Sequence, residues 1–487
     1  MFEQAKVKPP TPATTALVDR IAAASRAEAQ AAAERLVSIA DLFEEREKSF
    51  GGCDDWVIDL FEAVAAEVAA TLRIGLGLGT SYLRYAMAMR HRLPKVGARF
   101  EAGDIDFRLF QTIVFRTHLI TDLDALDEVD AQIAARAPRW PAMSRRRLAG
   151  AIDKIVAKVD PDAVRRSKES IEDRYVKVQA TDDGMAEVVG QVFDTTGKAL
   201  DRRLDELAGT VCDGDPRTRD QRRADALDAM VAGADRLACT CGSDTCPAWS
   251  NTRPAGNVVI HVVAEQGALD GTSQTPAVIP GSDALISAEV LRELAANAKL
   301  LPVIGPIDAP PEPRYSPSRA LADFVRCRDL TCRAPGCDHP AANCDLDHTI
   351  PYERDGLTHA SNLKALCRKH HLLKTFWGWR DEQLPDGTVI WTLPDGRRYV
   401  TMPGSALLFP TLCTPTGYLP EPGGSAEERC GNRTAMMPRR RRTRAQYRAA
   451  AIEAERRRNH ERRTQRQRWN NWYFDLPSVP DGEPPPF

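Results

Sequence analysis

The stretch that decides how this chain reads is Cys332-Arg-Ala-Pro-Gly-Cys337, then Cys344-Asp-Leu-Asp347-His348, Asn362-Leu363 and Cys367-Arg-Lys-His370-His371-Leu-Leu-Lys374. Cys332 and Cys337 flank Pro335-Gly336, a pair suited to a tight knuckle. Cys367 and His370 sit on a helix predicted over 361–375, and residues at i and i+3 share one helix face. Two such pairs supply the four soft or borderline donors that a closed tetrahedral zinc site takes. Cys344, Cys327 and His339 remain open as alternative ligands. Five cysteines between Cys327 and Cys367 argue against unrelated buried thiols.

A second constellation is interleaved with the first. Asp347 and His348 are adjacent at the end of a short strand-like run. His371 follows His370, so it points about 100° around the helix from the zinc pair. Asp347 with His371 would make an open two-ligand site for a hard divalent cation, with other positions left to water and phosphate. His348 is then free to act as general base, because imidazole titrates near neutral pH. Asn362, at the start of the predicted helix, can cap it or orient the loop that bears His348.

The pattern of His348, thirteen residues, Asn362, eight residues and His371 resembles the HNH endonucleases, which fold as a ββα-metal motif. The flanking cysteine pairs are similar to the zinc-bearing branch of that family. The resemblance covers roughly residues 327–378. It implies hydrolysis of a DNA phosphodiester. Asp347 and His371 would bind magnesium or a similar divalent metal, and His348 would deprotonate water. Asn362 would hold the His348 loop, and Cys332, Cys337, Cys367 and His370 would bind structural zinc. Lys374 would contact a phosphate. Two departures are visible: Asp355-Gly356 stands where Gly-Gly is common, and His370 where cysteine is common.

Around this block the chain is an ordinary soluble polypeptide of 487 residues, 43% hydrophobic and 28% charged. That composition excludes fibrous and wholly disordered classes. No window of 18 uncharged apolar residues suggests a spanning helix. The start, Met1-Phe2-Glu3-Gln4-Ala5-Lys6, lacks the basic-then-apolar pattern of a leader. The expected compartment is the cytoplasm, where clustered thiols favour metal over disulfide.

Upstream, apolar residues recur at helical spacing. Leu17, Ile21, Leu36, Ile39 and Phe43 mark one run; Val57, Leu60, Phe61, Val64 and Val68 mark a stripe within 56–72. Further helices are expected over 81–93 (stopping at Pro94), 104–121, 123–136 and 144–159. Alternation over 175–180 and 185–192 predicts a hairpin turning at Asp183-Gly184. Helices are expected near 195–207, from Arg217, and at 288–298, with a short strand at 258–264. Six prolines between Pro302 and Pro317 mark a linker and the main domain boundary. Beyond the cysteine block, 388–393 and 397–401 form a second predicted hairpin around Pro394-Asp395-Gly396.

Residues 439–468 hold thirteen arginines against three glutamates, a local charge of +10 within a chain of net charge −2. Such a tail, beginning Arg439, Arg440, Arg441, Arg442, can lie along phosphates, with Trp469, Trp472 and Tyr473 stacking on bases. Cys239, Cys241 and Cys246 place three thiols on one loop; a fourth ligand is not evident, with His261 the candidate. The segment 217–227, the strand at 258–264 and the Cys-x-Cys-x4-Cys group resemble an actinobacterial family. Its members join a mainly helical domain of unknown function to a C-terminal HNH nuclease. That match spans most of 20–300 and implies no activity for the helical part.

The expected architecture is therefore α+β. A mainly helical domain over 13–300 has a small β component, and a proline-rich linker covers 301–318. A zinc-stabilised ββα-metal module with its hairpin covers 319–401. A basic helical tail covers 438–470, and 477–487 is expected to be disordered. The expected function is metal-dependent DNA endonuclease action without membrane attachment. The rival is a zinc-containing DNA-binding or regulatory module that does not cut. A third reading makes the helical domain a protein-binding unit. Protein partners and oligomeric state are open.

Overall fold

The computed structural model describes residues 11–52, 54–140, 143–165, 175–181, 185–192, 194–243, 245–246, 248, 261–280, 285–296, 298–420 and 437–474. The Asp183-Gly184 turn, the first part of the 258–264 strand and the 477–487 tail lie outside them.

The chain opens as a stack of helices: α1 (Pro12–Lys48), α2 (Leu60–Leu72), α3 (Leu76–His91), α4 (Pro94–Glu101), α5 (Phe107–Arg116), α6 (Leu123–Arg136) and α7 (Arg145–Val159). Their starts follow from capping chemistry. Asp59, Asp106, Asp122 and Ser144 each accept a hydrogen bond from the backbone N–H three residues on. Pro94 does more than end the preceding helix, because it occupies the first turn of α4, where its missing N–H costs nothing. α3 begins earlier than expected, at Leu76. Gly79 lets it cross α2 closely, since a Cβ there would strike the Ala65 carbonyl. Leu36, Val64, Leu83, Phe100, Phe110, Ile113, Val129, Ile133 and Val156 form the core of this stack.

α2 differs from the one-stripe reading of its sequence. Every residue from Glu62 to Ala70 is buried. Leu60, Val64, Ala65 and Val68 face the helical core, whereas Ala63, Ala66 and Ala70 join a second core with Cys332, Leu366, Leu372, Trp379, Trp391 and Met437. A helix apolar all round must be covered all round. The C-terminal module supplies the other cover, so the two parts share this helix.

Between them lie an antiparallel hairpin, β1 (Tyr175–Ala180) with β2 (Ala186–Gln191), and the helices α8 (Asp194–Ala208) and α9 (Arg219–Val231). The small elements α10 (Gln266–Asp270), β3 (Ala277–Val278), β4 (Leu285–Ile286) and α11 (Ala288–Ala295) follow. The C-terminal module begins with α12 (Arg319–Asp329). It continues through β5 (Asp345–His348), β6 (Leu363–Leu366) and α13 (Arg368–Phe376), then β7 (Arg380–Gln383), β8 (Val389–Thr392) and β9 (Arg398–Thr401). β7 adds a third strand to the expected hairpin, pairing with β8. The helix expected over 361–375 is shorter. Residues 363–366 form a fully buried strand paired with β5, and α13 begins only after Cys367.

The basic tail forms α14 (Arg444–Phe474) and packs back onto the helical stack, inserting Ile452 into its core. Among the described residues, no helix is long and apolar enough to cross a membrane.

Candidate functional site

β5 and β6 run antiparallel, with Asp347 opposite Lys364 and His348 opposite Leu363; α13 packs against both strands. Alternation along β5 sends Asp345 and Asp347 to one face and His348 to the other. That alternation lets two adjacent residues take separate roles.

On the first face, His371 of α13 sits between two carboxylates. Its Nδ1 is 3.0 Å from Asp345 Oδ2 and its Nε2 is 3.5 Å from Asp347 Oδ1. Asp345 thus orients the ring, as an outer carboxylate orients a metal-bound histidine. A carboxylate oxygen and an imidazole nitrogen at this separation suit a shared divalent cation with open positions. An imidazole nitrogen beside a carboxylate oxygen suits an open site for zinc or another transition ion at least as well as one for magnesium, which takes oxygen donors.

The other oxygen of Asp347 is already engaged. Lys364 Nζ and Lys374 Nζ each lie 2.7 Å from Asp347 Oδ2. Both lysines also pair with Asp381, at 2.5 and 3.1 Å. Burial pushes the Asp347 carboxyl up, but the two ammonium groups outweigh it and hold it at about 2. Lys374, expected to contact a phosphate, is turned onto Asp347 and Asp381. Its Nζ also donates to the His348 carbonyl at 2.6 Å, and only 12% of its side chain is exposed. The reason is geometric, because one turn beyond His371 is still the face that packs on β5.

On the opposite face, His348 Nε2 is 2.9 Å from Thr358 Oγ1, and Thr358 Oγ1 in turn donates to the Tyr315 carbonyl at 3.4 Å. A hydroxyl that donates elsewhere accepts from the imidazole, which places the ring proton on Nε2 and leaves Nδ1 with its lone pair. Burial, together with Lys364 and Lys374, lowers the His348 pKa below the usual histidine value despite Asp347. The ring is stacked by Tyr315, with centroids 5.3 Å apart, and flanked edge-on by Tyr352.

Tyr315 comes from the proline-rich segment expected to be a solvated linker. That segment is irregular but docked. Glu312 N–H donates to the Thr358 carbonyl at 2.9 Å, and Tyr352 Oη donates to the Pro313 carbonyl. His359 accepts from Ser361 N–H at Nδ1, so its Nε2 donates to the Ala309 carbonyl. Asn362 stands at the start of β6, not of a helix. Its Oδ1 accepts from Ile350 N–H at 2.8 Å, and its Nδ2 donates to the Ile350 and Leu357 carbonyls at 3.1 and 2.9 Å. The side chain staples the ends of the loop that follows His348.

Cys332, Cys337, Cys367 and His370 converge, with their donor atoms all within 4.8 Å of one another. His370 Nδ1 lies 3.2 Å from Cys367 Sγ and 3.6 Å from Cys332 Sγ, and Cys337 and Cys367 sulfurs are 4.0 Å apart. A tetrahedral zinc ion with bonds near 2.3 Å separates its sulfurs by about 3.8 Å, so the set fits. Cys344 instead points its thiol at the Pro340 carbonyl, and Cys327 and His339 are not in the group. These residues could hold a structural metal such as zinc.

A second group of four also converges: Cys239, Cys241 and Cys246 are completed by Cys212, not by His261. Cys212 lies far back in sequence, in the turn after α8, and only the pairing of α8 with α9 brings it near.

The arginine tail is largely committed within the molecule. Arg439 pairs with Asp55; Arg440 and Arg444 pair with Asp59; Arg444 also pairs with Glu62. Further on, Arg456 pairs with Asp160 and Arg463 with Asp162. Arg441 and Arg442 are exposed. The missed participants at the site are Asp345, Lys364, Asp381, Thr358 and Tyr315. Only Asp345, two residues before Asp347 on a strand, carried a periodic signal.

Among known proteins, "Uncharacterized protein Rv2100" of Mycobacterium tuberculosis (strain ATCC 25618 / H37Rv) is 44% identical over 485 residues, covering 91% of this chain and 87% of the relative. "Uncharacterized protein Rv3776" of the same strain is 45% identical over 468 residues, covering 91% and 89%. "Uncharacterized protein Rv1128c" is 25% identical over 332 residues, covering 63% and 68%. No solved structure matches. The pattern described as "Domain of unknown function (DUF222)" matches residues 23–329, running past the proline-rich segment to the end of α12. By that match and by its relatives' coverage, the chain belongs to the DUF222 family.

Proposed function

We propose that this protein is a metal-dependent endonuclease that hydrolyses DNA phosphodiester bonds. One observation carries the reading: β5 sets His348 directly beside Asp347, whose Oδ1 lies 3.5 Å from His371 Nε2. Asp347 Oδ1 and His371 Nε2 would hold the cation. A divalent ion bound there supplies charge stabilisation for the phosphate and the leaving oxygen.

The remaining work belongs to the chain. His348 Nδ1 accepts the proton of the attacking water, and the Thr358–Tyr315 relay fixes its tautomer. Asn362 keeps the following loop closed so that the imidazole stays in place. Tyr315 and Tyr352 limit the ring's rotation and shield it from bulk water. Arg441 and Arg442 remain available to phosphates.

The test is cleavage of supercoiled plasmid by the full chain with Mg²⁺, Mn²⁺ or EDTA, beside His348→Ala. A general base typically contributes about 10²–10⁴-fold, so the variant should lose that much nicking while keeping its zinc and its fold. Equal nicking by the variant would sink the assignment.

A second reading, a zinc-containing DNA-binding or regulatory module that does not cut, has one observation in its favour. Lys364 and Lys374 already neutralise Asp347 with no cation needed. Under that reading the folded, zinc-loaded protein binds DNA but leaves plasmid intact with every divalent ion.

A further inference from the structure

Four cysteines outside the nuclease-like module meet at one point. Cys212 belongs to the turn after α8, and Cys239, Cys241 and Cys246 to the loop after α9. Their sulfurs all lie within 4.8 Å of one another, with Cys212 and Cys239 3.5 Å apart. Tetrathiolate zinc separates sulfurs by about 3.8 Å, whereas a disulfide needs about 2.05 Å. The arrangement is that of four ligands around a common centre, not of two bonded pairs.

The surrounding polar groups hold both segments in that arrangement. Asp215 accepts from the Arg217 guanidinium at 2.8 and 3.0 Å, and from Thr240 N–H at 3.0 Å. Arg217 also donates to the Ala238 carbonyl at 2.6 Å. Thr210 Oγ1 accepts from Leu237 N–H at 2.9 Å and donates to the Leu207 carbonyl. Residues 210–217 are thus fastened to 237–240, which carries Cys212 against the Cys239-Thr-Cys241 knuckle. Thr240 stands between two of the cysteines, and its bond to Asp215 turns the knuckle inward.

This region needs such a clamp. Among the described residues its buried apolar side chains are few, chiefly Leu207, Ala208, Ala226, Ala229, Leu237 and Ala248. The helices are otherwise joined by ion pairs near the surface, exposed Arg219 with Asp205 and half-buried Arg223 with Asp201 and Asp205. Exposed ion pairs contribute little, and a unit with so little core usually takes a metal or a disulfide. Binding of a structural zinc is itself folding free energy.

We propose that Cys212, Cys239, Cys241 and Cys246 form a structural tetrathiolate zinc site that clamps α8 to α9. The chain then carries two zinc ions, one in the helical region and one in the C-terminal module. This is independent of whether the C-terminal module cuts DNA.

The experiment uses the full chain purified under reducing conditions, with zinc quantified by mass spectrometry. Two zinc ions per chain are expected, falling to one in Cys239→Ser and to one in Cys367→Ser. A single zinc ion in the unaltered chain that Cys367→Ser abolishes, or undiminished zinc in folded Cys239→Ser, would overturn the site. Because either variant could misfold, the unaltered chain is also alkylated before and after chelation, with each cysteine scored. Cys212, Cys239, Cys241 and Cys246 should be protected together and exposed together. If those four alkylate freely, or emerge as disulfides, while Cys332, Cys337 and Cys367 stay protected, the proposal fails.

Discussion

At Lys364 a single side chain holds the charge balance of the site. It is fully buried between Asp347 and Asp381, and those carboxylates raise its pKa despite its burial. Removing one partner of a buried ionic set strands the others in low dielectric. Lys364→Met should therefore destabilise the protein by about 3–5 kcal/mol, read as a lower denaturant midpoint in urea. If the midpoint is unchanged, Lys364 does not carry that balance. Thr358→Val makes the milder comparison. It removes the acceptor that keeps the proton on His348 Nε2. Cleavage should fall while zinc content and unfolding midpoint stay near those of the unaltered chain. If cleavage is unaffected, the relay does not set the tautomer.

Among the elements, α2 is buried against two cores at once. Its alanines leave no slack on the side that meets the C-terminal module, where Ala66 is 1% exposed. Ala66→Leu overpacks that contact and should cost about 1–3 kcal/mol, measured by thermal or chemical unfolding. At the helix start, Glu62 joins Arg444 of α14 and Lys369 of α13, at 2.8 and 3.2 Å. Burial pushes its pKa up, but Arg444 and Lys369 outweigh it and leave it below the usual value. A carboxyl whose folded pKa is depressed stabilises above its unfolded pKa, and that contribution disappears as pH falls through the folded value. Stability of the unaltered chain should thus decline from near pH 5 downward more steeply than that of Glu62→Gln. Parallel declines in denaturant titrations would remove Glu62 from that role.

The same helix shows what sequence periodicity can and cannot supply. Its Val and Leu stripe was legible as a packing face. Alanines on the other side carried no amphipathic signal, so the second cover went unread. The cluster that could hold a structural metal was legible because Cys332, Cys337, Cys367 and His370 come in close pairs. Cys212 was not, because its partners lie across a helix hairpin. Asn362 was placed on a helix because Leu363–Leu366 has no alternation; a strand buried on both faces shows none.

At the scale of the whole molecule, α14 acts as a strap more than as a free basic arm. Its ion pairs with Asp59, Asp160 and Asp162, and the burial of Ile452, tie this helix to the helical stack from the start of α2 to the end of α7. Substitutions in the arginine run should then separate into two kinds. Arg441→Ala with Arg442→Ala should weaken DNA binding and flatten its salt dependence with little change in stability. Arg440→Ala with Arg444→Ala should lower stability first. Fluorescence anisotropy at two salt concentrations, beside an unfolding curve, checks both; identical behaviour of the two pairs would refute the division.

The shared burial of α2 also bears on how such a chain can be inherited. A C-terminal block attached by a plain tether could be exchanged between genes as a cassette. Here the exchange would bare Ala63, Ala66 and Ala70 and leave Glu62 without Lys369. A recombinant would have to bring a matching surface with it, so the two halves are expected to descend together.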